Sequence, residues 1–251
     1  MKFYAIIPAR YSSTRFPGKP LVDILGKSMV SRVYHQAIAC DKIEAAWIAT
    51  DDDRIANHLK EQNIPYIMTS PDHQSGTDRC REAAEKLPQI QAEDIVVNIQ
   101  GDEPFISVNQ INLICSCFQN ENTAIASLVK KLDAIDKVLD PNTVKAVLNL
   151  NKEALYFSRS PIPYLRDVPQ EKWLEKHDFY KHLGIYAYRK NSLIEISSLA
   201  QSNLEIMESL EQLRWLSNGY SVQLEITDEE ALSIDHPADL EEAINYLKAK
   251  K

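Results

Sequence analysis

The chain has 251 residues, 44% of them apolar, which suits one large α/β domain, or one such domain carrying a sizeable insertion, with a substantial core. Its 28 basic and 36 acidic residues leave a net charge of −8, which excludes general nucleic-acid binding, since that needs a wide basic field. No apolar run approaches the ~20 residues that span a bilayer.

Apolar Phe3–Ala9 reads as a buried first strand, and no leader is expected, because strand residues follow Met1-Lys2 directly. The strand runs into a loop, Arg10-Tyr11-Ser12-Ser13-Thr14-Arg15-Phe16-Pro17-Gly18-Lys19-Pro20, with three cations in ten residues. In an open α/β sheet the loop after the first strand lies at the ligand end. Arg10, Arg15 and Lys19 can therefore converge on one multiply charged anion, for which a nucleoside triphosphate is the obvious candidate. The loop is neither a Walker A motif nor a G-x-G-x-x-G dinucleotide loop, since Gly18 is its only glycine. A solvated basic loop is the competing reading, and the position after a buried strand favours the anion.

Strand and helix patterns then alternate. Ser28–Ala39 has helical spacing, Ala45–Thr50 is a short strand, Asp53–Gln62 a helix, Tyr66–Met68 a strand, Gly76–Leu87 a helix, Ile95–Ile99 a buried strand and Ser107–Phe118 a helix. Repeated β-α-β units of this kind predict a mostly parallel sheet with helices on both faces. Further on, Ala124–Val129, Val144–Leu150, Ala154–Ser158, Lys181–Tyr188 and Ser221–Ile226 read as strands. Ser192–Leu199, Met207–Asn218 and Pro237–Lys250 read as helices, and prolyl, charged Pro161–Lys176 as an exposed loop or arm. The four cysteines, Cys40, Cys80, Cys115 and Cys117, have no C-x-x-C spacing and read as reduced cytosolic thiols. The six histidines lack any zinc-site spacing.

Acidic residues at strand ends are the next candidates. Asp102 follows the Ile95–Ile99 strand in Gln100-Gly101-Asp102-Glu103-Pro104, and Asp235 follows the short apolar segment Ala231-Leu232. Two carboxylates together with phosphate oxygens are a usual way to hold magnesium. Both residues also precede helices, so capping competes in each case, and for Asp51–Asp53 capping is the better reading. His73-Gln74-Ser75-Gly76-Thr77-Asp78-Arg79 opens a helix with amides and hydroxyls suited to a base edge, a ribose or an anion. In Lys181–Tyr188, strand period puts His182, Gly184, Tyr186 and Tyr188 on one face, with Gly184 leaving room for a hydroxyl-rich sugar. Glu208, Glu211 and Gln212 share a helix surface, and a solvated face is the favoured reading there.

In order along the chain, residues 6–20, 73–79, 98–104, 154–159, 181–188, 210–214 and 234–240 carry seven motifs: Ile-Ile-Pro-Ala-Arg-Tyr…Arg-Phe-Pro-Gly-Lys-Pro, His-Gln-Ser-Gly-Thr-Asp-Arg, Asn-Ile-Gln-Gly-Asp-Glu-Pro, Ala-Leu-Tyr-Phe-Ser-Arg, Lys-His-Leu-Gly-Ile-Tyr-Ala-Tyr, Leu-Glu-Gln-Leu-Arg and Ile-Asp-His-Pro-Ala-Asp-Leu. Together they resemble the 3-deoxy-manno-octulosonate cytidylyltransferases, with Asp-His-Pro where that family usually has Asp-Thr-Pro. The resemblance implies a three-layer, Rossmann-like nucleotide-diphospho-sugar transferase fold across residues 1–251 as a single nucleotidyltransferase domain, with an exposed arm or dimerisation segment around 130–180. It implies a cytoplasmic homodimer that uses Mg²⁺ to join CTP and 3-deoxy-D-manno-octulosonate (Kdo) into CMP-Kdo and pyrophosphate for lipopolysaccharide synthesis. Carried over by position, Arg10, Ser13, Arg15, Lys19, Ser75, Gly76, Thr77, Arg79 and Asp102 would bind the nucleotide. Gln100, Arg159, His182, Tyr186, Glu211 and Gln212 would line the sugar site. Asp102 and Asp235 would hold the metal, and Lys19, Arg10, Asp102 and Asp235 would carry catalysis. Transfer to another sugar acid, such as 8-amino-Kdo or sialate, and a non-catalytic nucleotide sensor are the alternatives. The pairs His73-Gln74 and Glu103-Pro104 resemble the Kdo-using branch rather than the amino-sugar branch.

Overall fold

The computed structural model describes residues 1–12, 16–229, 234 and 236–249, with backbone alone at 242, 246, 247 and 249. The first half holds β1 (Phe3–Ala9), a small hairpin of β2 (Asp23–Ile24) and β3 (Lys27–Ser28), α1 (Met29–Ile38), β4 (Ile43–Thr50) and α2 (Asp53–Glu61). It continues with β5 (Tyr66–Met68), α3 (Gly76–Lys86), β6 (Ile95–Asn98) and α4 (Val108–Ser116). The second half holds β7 (Ile125–Lys131), α5 (Ile135–Leu139), β8 (Lys145–Leu148), β9 (Ala154–Ser158), α6 (Trp173–Lys176) and β10 (Tyr180–Arg189). Then come α7 (Lys190–Ser197), α8 (Asn203–Glu208), α9 (Gln212–Ser217), β11 (Val222–Thr227) and α10 (Pro237–Ala249).

The main sheet runs β11-β7-β10-β6-β1-β4-β5, and the β8–β9 hairpin joins it at one end of β10. Neighbours are parallel except where β10 enters, antiparallel to β6, β7 and β8, and within the antiparallel β8–β9 hairpin. The expected mostly parallel, three-layer α/β architecture is therefore present, with one reversed strand. Burial on both faces explains the unbroken apolar run of β1. Ala5, Ile7 and Ala9 face a core supplied by Val30 and Val33 of α1, Ile55 and Leu59 of α2 and Ile114 of α4. Tyr4 and Ile6 face the other core, with Ala83 of α3, Ile196 of α7 and Leu213 and Trp215 of α9. The sheet order turns back at β1, whose partners are β4 on one side and β6 on the other. A crevice opens beyond the carboxyl ends of strands at such a switch point.

Two expectations need correction. Residues 207–218 are not one helix: α8 begins at Ser202 in a capping box with Glu205 and ends at Ser209, which is left-handed at φ 52°. The carbonyls of Glu208 and Ser209 accept from the guanidinium of Arg159, far away in sequence, so tertiary bonds replace the helical ones. Nor is 161–176 wholly an exposed arm. Trp173 is buried, stacked on Phe179 at 5.6 Å, and joins Leu132 and Val138 in a satellite core. Ala231-Leu232 lies outside the described residues.

The loop after β6 passes so close to β1 that a Cβ on Gly101 would lie 2.6 Å from the Pro8 carbonyl oxygen. Gly101→Ala should therefore part the two strand ends, with a loss of about 1–3 kcal/mol. Urea denaturation checks this, and an unchanged midpoint would count against the tight contact.

Candidate functional site

An open cleft of about 760 Å³ occupies the crevice. Its walls come from the end of β1 and the following loop, the first turns of α2 and α3, and Gln100, Gly101 and Asp102 after β6. The β1 loop is folded back on itself: the Gly18 amide donates to the Tyr11 carbonyl at 2.9 Å, with Gly18 at φ 72°. That reversal delivers Lys19 to the cleft wall, where its ammonium meets a carboxylate oxygen of Asp102 at 2.8 Å. The lysine side chain is 12% exposed and that of Asp102 34%, so an almost buried cation sits against a carboxylate that still reaches solvent. Arg10 shares the wall.

The N-terminus of α3 closes the floor. Ser75 caps it by accepting from the Asp78 amide at 3.1 Å. Gly76 lies over Pro8 and Gln100. The positive end of the helix dipole thus adds to the cations of the β1 loop. Arg79, 1% exposed, donates through Nη1 to the Thr69 hydroxyl at 2.5 Å, and its Nη2 lies 3.3 Å from a carboxylate oxygen of Asp51, an ion-pair contact without hydrogen-bond geometry. Asp51 is therefore an ion-pair partner, whereas Asp52 caps α2 by accepting from the Arg54 amide at 2.9 Å.

Thr77 joins this floor to α9 by donating to Glu211 at 2.7 Å. Burial raises the Glu211 carboxyl above its ordinary range, against the lowering effect of the Thr77 and Ser75 hydroxyls. Glu211 and Gln212 are thus not a solvated face. Gln212 is buried, and Glu208 accepts from the Ser158 hydroxyl and the Arg159 amide at 2.7 and 2.9 Å.

On β10, His182, Tyr186 and Tyr188 form a row of rings, with centroids 5.2 and 5.8 Å apart. Gly184 does not leave open space between them. A Cβ there would come within 3.3 Å of Glu103 Oε1 and 3.7 Å of Gln100 Cγ, so the glycine lets β10 approach the β6 loop. Burial, helped by Lys181, pushes His182 down to about 3, and its Nε2 lies 2.9 Å from the Ser127 hydroxyl. It is a neutral polar group near neutral pH. Burial, with Glu211 adding, holds the Tyr186 hydroxyl well above its ordinary value. It stays protonated, and it has no hydrogen-bond partner among the described residues. A buried hydroxyl left in that state is what a ligand would satisfy.

The structure thus gathers Arg10, Lys19, Gly76, Arg79, Gln100 and Asp102 around one cleft and links Ser75, Thr77 and Glu211 behind it. Arg159 is not in the cleft wall: it binds the α8–α9 junction. Ser13, Arg15 and Asp235 lie outside the described residues, although the amide of Ile234 donates to the Asp102 carbonyl at 3.1 Å. Two cleft residues were missed from sequence. The Arg54 guanidinium lies 3.4 Å over the Tyr11 ring, and both line the cleft. Their positions after β1 and β4, at the same sheet edge, were the available signal.

The family described as cytidylyltransferase matches residues 4–229. The 3-deoxy-manno-octulosonate cytidylyltransferase of Parabacteroides distasonis is 53% identical over 251 residues, covering 98% of each chain. That of Bacteroides thetaiotaomicron is 51% identical, covering 99% of each. Among solved structures, a CMP:2-keto-3-deoxy-manno-octonic acid synthetase complexed with CTP superposes at TM-score 0.92, with 38% identity and full coverage of both chains. A Bacillus anthracis protein assigned as a glucose-1-phosphate thymidylyltransferase reaches TM-score 0.65 at 16% identity, covering 97% of this chain and 94% of its own, a likeness of fold alone.

A carboxyl whose folded pKa is raised stabilises less as pH rises above its unfolded value of about 4.3. Relative to the unsubstituted chain, Glu211→Gln should therefore be less destabilising at pH 7 than at pH 4.5. Urea midpoints of both proteins at the two pH values check this, and the opposite trend would contradict a buried, raised Glu211.

Proposed function

The chain belongs to the 3-deoxy-manno-octulosonate cytidylyltransferases, and from that premise we propose that it transfers CMP from CTP to Kdo, releasing pyrophosphate. The observation that carries this reading is the cleft itself, where Lys19, Arg10 and a helix N-terminus face Asp102 across the switch point. A triphosphate laid there meets cations, while the carboxylate remains for a bound cation. The anomeric hydroxyl of the sugar attacks the α-phosphorus and pyrophosphate leaves, with no covalent enzyme intermediate. Lys19, Arg10 and Arg15 hold the phosphates and offset the charge that grows on the leaving group, so the chain acts by positioning and electrostatics.

Asp102 fits magnesium: it is a hard oxygen donor facing the cleft, and it already accepts a cation, the Lys19 ammonium at 2.8 Å. Asp235 would be the second ligand, and the bond from Ile234 to the Asp102 carbonyl supports that pairing. When bound, magnesium neutralises phosphate charge and lowers the pKa of the attacking hydroxyl. On the sugar side, Gln100, neutral His182, protonated Tyr186, Glu211 and Gln212 supply donors and acceptors for hydroxyls, and Arg159 supplies the cation for the sugar's carboxylate.

A homodimer is part of the same reading. Leu139, Leu150, Leu155 and Tyr164 are exposed apolar side chains in or beside the 130–180 segment, and Leu204, Ile206 and Met207 of α8 add to them. Such exposure on an enzyme surface fits self-association. No helix among the described residues is long and apolar enough to cross a membrane, and the described cysteines are free and buried, which fits a reduced cytoplasmic enzyme.

The purified chain with CTP, Mg²⁺ and a panel of sugar acids should release pyrophosphate fastest with Kdo, ahead of its 8-amino analogue and sialate. No release with any of them would leave only a nucleotide sensor. Lys19→Ala should lower turnover about 10²-fold or more while the chain stays folded; near-normal turnover would remove Lys19 from the mechanism. Asp102→Asn and Asp235→Asn should each cripple activity, and the double variant should lose far less than the product of the single losses if they share one metal. Multiplicative losses would separate the two carboxylates.

A further inference from the structure

Lys145, the first residue of β8, is fully buried, and no step of the proposed reaction uses it. Its ammonium donates to three backbone carbonyls: Asp140 at 2.8 Å, Thr143 at 2.6 Å and Arg159 at 2.5 Å. A lysine has three N–H donors and all three are satisfied here without a carboxylate contact. Burial lowers the proton affinity of the ammonium, with Asp140 and Glu208 opposing and Arg159 adding to the loss. A buried ammonium beside a second cation is a costly choice for mere packing, since apolar residues fill such space at least as well.

The three acceptors have one thing in common. Asp140 and Thr143 flank the turn before β8, and the Pro141 carbonyl in that turn accepts from Arg159 Nη1 at 3.1 Å. The third acceptor is the main chain of Arg159 itself. Lys145 thus holds the backbone of Arg159 directly and holds its guanidinium through the turn. The Arg159 side chain is further drawn to the Glu208 carbonyl at 2.6 Å and the Ser209 carbonyl at 3.4 Å. Three of its five N–H donors are used in this way, which leaves one on each terminal nitrogen for a carboxylate.

We propose that Lys145 is a positioning residue for the sugar acid: it locks the turn at 140–143 and the end of β9 so that Arg159 presents its two remaining N–H donors in a fixed direction. This rests on the reading that Arg159 binds the carboxylate of the sugar.

The test is steady-state kinetics with Kdo and CTP varied separately, on Lys145→Met, Lys145→Arg, Asp140→Ala and Arg159→Ala. Lys145→Met should raise KM for Kdo about tenfold while KM for CTP stays within about twofold, and Lys145→Arg should recover part of the loss. Asp140→Ala keeps the answer accessible if Lys145→Met fails to fold. It removes the side chain that accepts from the Asn142 amide at 2.9 Å and the Thr143 hydroxyl at 3.1 Å in a partly exposed turn. It should raise KM for Kdo about threefold. If Arg159→Ala raises KM for Kdo and the Lys145 and Asp140 variants do not, the positioning role is overturned while the sugar site stands. If Arg159→Ala leaves KM for Kdo unchanged, the reading of Arg159 falls, and the inference with it. Equal changes in KM for both substrates would mark Lys145 as a general stabiliser and also overturn the proposal.

Discussion

The site depends on how tightly the ends of β1 and β6 lie together. No side chain fits at Gly101, because the Pro8 carbonyl stands where a Cβ would go. That contact brings two loops of opposite charge face to face, so that Lys19 and Asp102 pair across the gap with little water between them. Each is held by the other's field before any substrate arrives. Binding then exchanges one partner for another rather than creating order from a mobile loop, which is the usual benefit of preorganisation. The bond from the Gly18 amide to the Tyr11 carbonyl and the cap of α3 serve the same end, since they use main-chain and hydroxyl groups rather than the cations.

In a chain with a net charge of −8, one cleft is lined by four cations and one carboxylate, Asp102. Arg10, Lys19, Arg54 and Arg79 all touch the cleft, and the bulk of the acidic side chains lie elsewhere. A cluster of cations in a crevice attracts a compact polyanion, and a chain of net negative charge disfavours the long, uniform contacts that nucleic acid requires.

Much of this was legible in the residues. A strand buried on both faces announces itself as an apolar run, as Phe3–Ala9 does, and the half-exposed strands Tyr66–Met68 and Ala154–Ser158 also lie where the sequence puts them. The cationic loop was readable because its place after the first strand has a topological meaning. What was not legible depended on distant partners. The break at Ser209 is caused by Arg159, fifty residues earlier, which no local pattern reveals. Glu211 reads as a surface residue until Thr77 is seen beneath it. Trp173 sits in a charged, prolyl stretch, and only the stacking on Phe179 shows that this stretch carries its own small core. In each case helix or loop chemistry was overridden by a contact made through the third dimension.

The ring row on β10 ends against an indole. Trp215 stands edge-on to Tyr186 and Tyr188, with centroids at 5.1 and 5.6 Å, and it is wholly buried. The other two tryptophans make their ring contacts elsewhere: Trp47 with Tyr4, and Trp173 with Tyr164 and Phe179. The molecule therefore carries an intrinsic optical reporter beside the one buried tyrosine hydroxyl of this row whose ring also meets His182. Events at that hydroxyl should change the emission of Trp215, and replacing Trp47 and Trp173 by phenylalanine would leave that indole as the single source, with no dye attached.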